Sequence, residues 1–122
     1  MIGTLQCVVL DCPEPRALAE FYRGLLGGEV DVPGRGWSLD DDWSTLHTAN
    51  GVLAFQRVAD YVPPTWPDPA RPQQFHLDIA VRDLGPGGAE VLRLGGALLD
   101  DSPTGWWVFA DPAGHPFCLV LA

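Results

Sequence analysis

Short runs of alternating apolar and polar residues recur along the chain and predict β-strands. The clearest run is QQFHLDIAV, residues 73–81, in which every second residue from Phe75 to Val81 is apolar. Its other face carries His76 and Asp78. The pattern therefore predicts a strand that has a histidine in its middle, on the polar face.

Two other segments have apolar residues at helical spacing. In the first they are Leu18, Phe21, Tyr22, Leu25 and Leu26, and in the second they are Ala89, Val91, Leu92 and Leu94. Prolines at positions 13 and 15 precede the first segment, where an entry loop or a first helical turn accepts them. Each segment stops at a Gly-Gly pair, at positions 27–28 and 95–96, which favours the end of a helix.

The order of these patterns is the same in both halves of the chain. In the first half, strand-like residues 43–48 and 52–58 flank an Asn-Gly turn. In the second half, WWVFA and HPFCLVL flank the turn Asp-Pro-Ala-Gly. Each half is therefore predicted to consist of a strand, a helix and three further strands.

The segment YVPPTWPDPARP, residues 61–72, separates the two halves and is too rich in proline for regular structure. We therefore expect one domain over residues 1–122, with a first module at 1–60, a connector at 61–72 and a second module at 73–122. A chain of this length buries a core of ordinary size.

Aligning the two halves pairs four positions. In the first strands Gln6 corresponds to His76, 70 positions later, and in the last strands Gln56 corresponds to Cys118, 62 positions later. These four residues are the candidate site positions. Glutamines in apolar strands need hydrogen-bond partners, which could be each other, water or a bound molecule.

Composition and charge narrow the class of protein. Hydrophobic residues make up 47% of the chain and charged residues 19%, which is typical of a globular domain. The formal net charge of −9 disfavours nucleic acid and anionic membranes as partners. No membrane span or secretion signal is evident, and three cysteines without a Cys-x-x-Cys spacing indicate reduced thiols, so we expect a cytoplasmic protein.

Three stretches together carry a resemblance to a known family. They are LDCPEPRALAEFYRGLLG, FHLDIAVRDL and DPAGHPFCLV. In this order and spacing, the chain resembles the vicinal oxygen chelate superfamily, which includes glyoxalase I, extradiol dioxygenases, fosfomycin-modifying enzymes and bleomycin-binding resistance proteins. It looks most like the small glyoxalase-like proteins of that superfamily.

The resemblance implies an α+β fold in which two tandem βαβββ modules form a curved, cup-like mixed β-sheet with the helices outside. In metal-using members, four side chains from the first and last strands project into the cup. The matching residues here are Gln6, Gln56, His76 and Cys118. They are the metal-ligand positions that the resemblance implies, for a divalent ion such as zinc, iron, nickel or manganese.

The set departs from the family pattern because it has no glutamate. A carboxylate offsets the charge of a dication and, in glyoxalase-type chemistry, takes a proton from carbon. Asp78 lies on the same face as His76 and could supply negative charge, but it does not match a family ligand position. His76 is therefore a metal ligand, a ligand-contacting residue or a structural histidine, and Cys118 is a small buried side chain or a soft metal ligand.

Tryptophan is abundant, at five positions in 122 residues. Trp106 and Trp107 are neighbours in a predicted strand and must point to opposite faces; we assign Trp107 to the pocket. Trp66 lies among the prolines of the connector, where it could fold over the mouth of the cup. The predicted ligand-contacting residues are Gln6, Gln56, Trp66, His76, Asp78 and Trp107. The other two histidines are assigned to a turn (His115) and to a strand surface or the cup (His47).

Two functions follow. The favoured one is a protein of the bleomycin-resistance type that binds a small organic molecule, cationic or aromatic, without a complete metal site and without converting it. The alternative is a metal-dependent lyase, isomerase or dioxygenase that uses His76. The resemblance also implies a homodimer, and pairing of the two modules within one chain is the alternative arrangement.

Overall fold

The computed structural model describes residues 1–34, 37 and 40–122. In these residues the chain forms two compact units, Met1–Tyr61 and Val62–Ala122. The connector expected at residues 61–72 contains no helix or strand, and nearly all of it belongs to the second unit.

The first unit contains one helix and a four-stranded mixed sheet. Its elements are β1 (Val8–Cys12), α1 (Pro15–Leu26), β2 (Glu29–Val30), β3 (Trp43–Thr48) and β4 (Gly51–Arg57). The strand order is β1-β4-β3-β2, with β1 parallel to β4 and the other neighbours antiparallel.

The second unit repeats this arrangement. Its elements are β5 (Asp78–Val81), α2 (Leu84–Arg93), β6 (Ala97–Asp100), β7 (Trp106–Ala110) and β8 (Pro116–Leu121). The strand order is β5-β8-β7-β6, again with a single parallel pair, between β5 and β8. The predicted order of a strand, a helix and three strands is confirmed in both halves.

The strand predicted at residues 73–81 is shorter than its alternating pattern indicated. β5 begins at Asp78, so His76 lies two residues before the strand. The pairing extends slightly beyond that start, because the Cys118 amide donates to the Leu77 carbonyl at 2.9 Å. Phe75, expected on the apolar face, is 88% exposed. The alternation therefore continued into a segment that does not pair with a neighbouring strand.

Helix α1 covers one face of the first sheet. Tyr22 is almost fully buried and stacks on Phe55 of β4, with ring centroids 5.9 Å apart. Because neighbouring residues of a strand point to opposite faces, Gln56 lies on the other side of the sheet. We call this side the open face of the first unit. It includes Asp11, Trp43 and Gln56, which pair in register across β1, β4 and β3.

Helix α2 covers the second sheet in the same way. Phe109 of β7 and Phe117 of β8 are buried with their rings stacked 5.9 Å apart. A methyl group added at Gly88 of α2 would lie 3.1 Å from the Phe109 ring, which places the helix directly on that strand. The opposite side is the open face of the second unit, and it carries Asp78, Trp106 and Cys118.

The Gly-Gly pairs at the helix ends have a common physical cause. The first glycine of each pair has a positive φ, 71° at Gly27 and 106° at Gly95. A Cβ at the second glycine would run into a backbone carbonyl of the hairpin strand, that of His47 at Gly28 and that of Ala110 at Gly96. Each helix end therefore packs against the sheet at a distance that only glycine allows.

None of the described helices is long and apolar enough to cross a membrane.

Candidate functional site

Three side chains that can bind metals or protons meet on the open face of the second unit. Asp78 and Cys118 are register partners in β5 and β8. His76 Nε2 lies 3.3 Å from Asp78 Oδ1. One ligand atom from each of His76, Asp78 and Cys118 lies within 4.8 Å of the others. Two residues proposed as metal ligands, His76 and Cys118, therefore lie beside Asp78. Its carboxylate supplies the negative charge that is missing from the family's ligand positions in this chain.

The thiol of Cys118 is held in its neutral form. Burial raises its pKa, and the charge of Asp78 and a hydrogen bond to that carboxylate raise it further. A protonated thiol is a poor nucleophile. The Cys-His-Asp cluster therefore does not have the electrostatics of a cysteine-nucleophile triad, in which an imidazolium lowers the pKa of the thiol.

A cavity of about 200 Å³ adjoins this cluster. Apolar residues line most of it, namely Trp66, Trp106, Val108, Pro116 and Phe117, of which Phe117 turns its ring away from the cavity, onto Phe109 under α2. Gln73, His76 and Cys118 supply the polar lining. The Gln73 Oε1 atom is buried and has no hydrogen-bond partner among the described residues. Concave sites with aromatic walls and a few polar groups are the usual form of small-molecule sites.

Two further depressions adjoin this cavity. One, of about 240 Å³, shares His76, Trp106 and Cys118 with it and adds Asp78. The other, of about 380 Å³, shares Trp66 with it and reaches Asp68 of the connector. The cavity thus shares lining residues with each of the two depressions in the second unit.

The connector is held in place by hydrogen bonds within itself, and this fixes Trp66. The Thr65 amide donates to the Arg71 carbonyl at 2.7 Å, and the Arg71 amide donates to the Thr65 hydroxyl at 3.0 Å. The Thr65 hydroxyl also donates to the Asp68 carbonyl at 2.6 Å. Trp66 therefore lies on a closed loop, and its ring lines the cavity.

The two adjacent tryptophans point to opposite faces as expected, but the assignment of Trp107 to the pocket is wrong in this unit. Trp107 lies against α2, since a methyl group at Gly88 would be 3.4 Å from its ring. Trp106 is 49% exposed and lines the cavity. Trp107 shares its face with the core residue Phe109, and this alternation is the signal that could have identified the core-facing ring.

The first-unit residues of the predicted set are separated by strand alternation. Gln56 pairs with Asp11 on the open face. Gln6 is exposed, precedes β1 and falls on the opposite alternation, together with the fully buried Cys12. In the second unit, the last residue of the first strand and the first residue of the helix each lie 69 positions after their counterparts in the first unit. These boundaries differ by one from the predicted offset of 70, whereas Asp11 and Asp78, the register partners of Gln56 and Cys118, lie 67 positions apart, so the correspondence of Gln6 with His76 stays a prediction. A ligand role for Gln6 stays a prediction without a partner in the described structure.

The other two histidines have structural contacts. His115 lies in the turn, as predicted, but it is not an exposed turn residue. Its Nδ1 is 2.7 Å from Oδ2 of buried Asp111, whose other oxygen accepts the amides of Ala113 and His115. His47 Nε2 lies 3.0 Å from the Thr45 hydroxyl, and the His47 ring packs edge-on against Trp37.

The donor set of the second unit fits a divalent metal ion. Imidazole, carboxylate and thiolate are all ligands of zinc-class ions, and three protein ligands leave a coordination position open. Asp78 would offset the ion's charge, and Cys118 would have to lose its proton. Asp78 was recognised as a possible source of charge, but not as part of a ligand cluster, because it lies outside the family's ligand positions.

Sequence reasoning missed Gln73 and Trp106. Gln73 lies in an irregular segment before β5, so strand alternation gives no information about its orientation. The burial of its side-chain oxygen depends on tertiary packing, which the sequence pattern does not indicate. The neighbouring depression of the connector was missed for the same reason.

Comparison with known families identifies the class of protein. The model of the glyoxalase-like domain family matches residues 7–120. The chain therefore belongs to the glyoxalase-like domain family, within the vicinal oxygen chelate superfamily. No curated protein matches the chain.

Solved structures share the fold at low sequence identity. A glyoxalase/bleomycin resistance protein/dioxygenase family enzyme from Burkholderia phytofirmans PsJN is 14% identical, with a TM-score of 0.73 and 98% of each chain covered. The fosfomycin resistance protein FosX from Listeria monocytogenes is 16% identical, with a TM-score of 0.71, covering 100% of this chain and 95% of the other. A glyoxalase-related enzyme from Fulvimarina pelagi is 22% identical, with a TM-score of 0.69, covering 99% and 89%.

Proposed function

We propose that the protein binds a small, planar organic molecule, aromatic or cationic, in the cavity that Trp66 and Trp106 line. The observation that carries the proposal is the pair of indole rings at one cavity beside a carboxylate. Indole surfaces bind planar and cationic groups through stacking and cation–π contacts. The cavity has the dimensions of a small ligand, at about 200 Å³.

The charge of the site supports a ligand with a basic group. Asp78 is exposed beside the cavity, where His76 and the Cys118 thiol are its neighbours. The chain as a whole carries a formal charge of −9. A negative surface of this kind favours the approach of cations and disfavours anions such as phosphates.

The proposal is tested by titrating the protein with a panel of planar aromatic amines while Trp fluorescence is recorded. We expect W66F and W106F each to weaken binding by about three- to tenfold, since each loses part of an aromatic wall. W107F is the matched control, because its ring packs under α2, and it should bind as the wild type does. Failure of every amine to bind, or equal weakening by W107F, contradicts the proposal.

A metal-dependent enzyme is the second candidate, and the His76–Asp78–Cys118 cluster favours it. These three residues would hold a divalent ion, such as zinc, iron, nickel or manganese. When bound, such an ion would supply Lewis-acid polarisation of a substrate oxygen for a metal-dependent lyase or isomerase, whereas a dioxygenase would need a redox-active ion such as iron or manganese. The surrounding tryptophans would exclude water and orient the substrate.

Elemental analysis of protein purified without a histidine tag separates the two candidates. The enzyme candidate predicts about one ion per chain in the wild type and none in H76A. H47A is the matched control and should keep the metal, since His47 bonds to Thr45 in the first unit. Wild-type protein without metal after growth and refolding in each of the four ions contradicts the second candidate.

A homodimer and a cytoplasmic location belong to the same proposal. In the described residues, β1 and β5 each have one sheet neighbour, and so each leaves one edge for pairing with another strand. Three free cysteines suit a reducing compartment. A monomeric mass in solution scattering would contradict the dimer.

A further inference from the structure

Trp66 and Pro116 together border two cavities of the second unit. On one side lies the cavity with Trp106 and His76, of about 200 Å³. On the other side lies the larger depression, of about 380 Å³, between the connector and the sheet. A ligand that fills the first cavity therefore reaches the edge of the second by passing one indole ring.

The larger depression has an apolar side and one charged group. Leu99 of β6 and Pro64 contribute apolar surface, and Asp68 contributes the carboxylate. Asp68 Oδ1 accepts the Ala70 amide at 2.9 Å, which fixes the side chain. Within residues 1–34, 37 and 40–122, Asp68 forms no ion pair with a basic side chain. Its charge is therefore available to a ligand.

We infer that this depression, bordered by Pro64, Asp68 and Leu99, is a second binding subsite and that the ligand is an elongated molecule that passes Trp66. Its aromatic part lies in the first cavity, and a positively charged end group pairs with Asp68. The inference rests on the proposed function, because it extends the same ligand beyond the first cavity. Asp78 lines the depression on the His76 side of the cavity and Asp68 lines the depression that shares Trp66 with it, so a molecule with a basic group at each end suits the site.

At this subsite we expect a positive end group to bind better than a neutral one. The Thr65 hydroxyl donates within the loop, which leaves Asp68 as the charged acceptor. A cationic end group that lies beyond the Trp66 ring is attracted by that carboxylate and still contacts one face of the indole. An anionic end group would meet the Asp68 charge without compensation.

The experiment uses matched aromatic amines and the full chain. Benzene, naphthalene and biphenyl cores are each prepared with one aminomethyl group or with one at each end, and binding is measured by calorimetry and by Trp fluorescence. We expect at least one diamine to bind about three- to fivefold more tightly than its monoamine, the gain of one partly exposed ion pair. D68N should remove that gain while leaving the monoamine unaffected.

The variant is chosen to preserve the fold, because an asparagine oxygen can still accept the Ala70 amide. D101N is the matched control, since Asp101 is an exposed acid of the same unit that borders none of the three depressions, and it should leave both affinities unchanged. Binding of the monoamines with no gain for any diamine, or a gain that survives in D68N, overturns the second subsite alone. Failure of all six compounds to bind the wild type overturns the proposed function and this inference together.

Discussion

The open faces of the two units carry different side chains on the same strand framework. In the first unit, Asp11, Gln56 and Trp43 form a row across three strands. In the second unit, Asp78 and Cys118 occupy a parallel pair of the same kind, and His76 joins them. The fold therefore positions a polar pair on each sheet, and the side chains decide which pair can hold a metal or a ligand.

The connector adds a further difference between the two units. It belongs to the second unit and brings Trp66 to a cavity on that unit's open face. The loop that carries Trp66 is closed by hydrogen bonds internal to the connector, so its conformation is not set by strand pairing. A duplicated framework thus acquires an asymmetric site through a segment that lies outside the repeat.

The largest expected effects come from the matched core rings, Phe55 in the first unit and Phe117 in the second. Both are almost fully buried. We expect F55A and F117A each to lower the free energy of unfolding by about 3–5 kcal/mol, measured by urea denaturation, because each leaves a cavity. F117A should also weaken aromatic-amine binding, because the Phe117 ring supports from the α2 side the strand whose Pro116 and Cys118 line the cavity. The affinity for aromatic amines is compared in the milder variants F55L and F117L. Equal losses of affinity in both would contradict the location of the site on the second unit.

Replacing the second glycine of each helix-end pair by alanine should lower the free energy of unfolding by different amounts in the two units. A Cβ at Gly28 meets only backbone atoms, and Gly28 has φ 93°. At Gly96 the Cβ meets the Val91 side chain as well as backbone. We expect G28A to cost about 2–4 kcal/mol and G96A about 1–3 kcal/mol in thermal or urea unfolding. A larger loss for G96A than for G28A would show that the first helix end is the more adaptable one.

The pKa of the Cys118 thiol should depend on Asp78. Because the carboxylate raises that pKa by its charge and its hydrogen bond, D78N should lower it toward the ordinary value of a thiol. It should stay above that value, since burial is the larger cause. The measurement is the rate of alkylation against pH in a C7S background, in which Cys12 is buried. The thiolate fraction at a given alkaline pH should therefore rise in D78N, and an unchanged profile would contradict the contact.

The smallest effects should come from the exposed ion pairs of the two helices, Glu20–Arg23 in α1 and Glu90–Arg93 in α2. The arginine hydrogen bond lowers the pKa of each glutamate. Any contribution to stability is therefore present above the ordinary glutamate pKa and is lost as pH falls through the lowered one. E20Q and E90Q should behave alike, with shifts in the unfolding midpoint that disappear at high salt. A shift in the unfolding midpoint that persists at high salt in only one of the two variants would show that the two ion pairs are not equivalent.

Much of the framework could be predicted from the sequence, because helical spacing, Gly-Gly stops and proline content act locally. The order of elements and the connector were predicted in this way, whereas the glyoxalase-like family was predicted from the resemblance of three sequence stretches. Strand limits were less accurate, because the alternation around Phe75 continues beyond the residues that form a ladder. Because Gln6 and His76 both precede their strands, no strand pairing fixes the predicted correspondence between them.

The site itself was predicted only in part. His76, Cys118 and Trp66 were assigned to a pocket or ligand role, and the structure places all three at one cavity. Asp78 was set aside as a metal ligand because the family pattern assigns no ligand to its position, although register pairing with Cys118 brings it into the cluster. Which of two adjacent tryptophans faces the cavity depends on what covers each side of the sheet, and sequence alternation alone does not supply that information.

The most direct test of the central claim is to map the binding surface by backbone amide chemical shifts. The ¹⁵N-labelled chain would be titrated with the tightest aromatic amine of the panel. We predict shift changes at Trp66, Gln73, His76, Trp106 and Cys118, on the second unit. Changes concentrated instead at Asp11, Trp43 and Gln56 would place the binding site on the first unit and refute its location at the Trp66–Trp106 cavity.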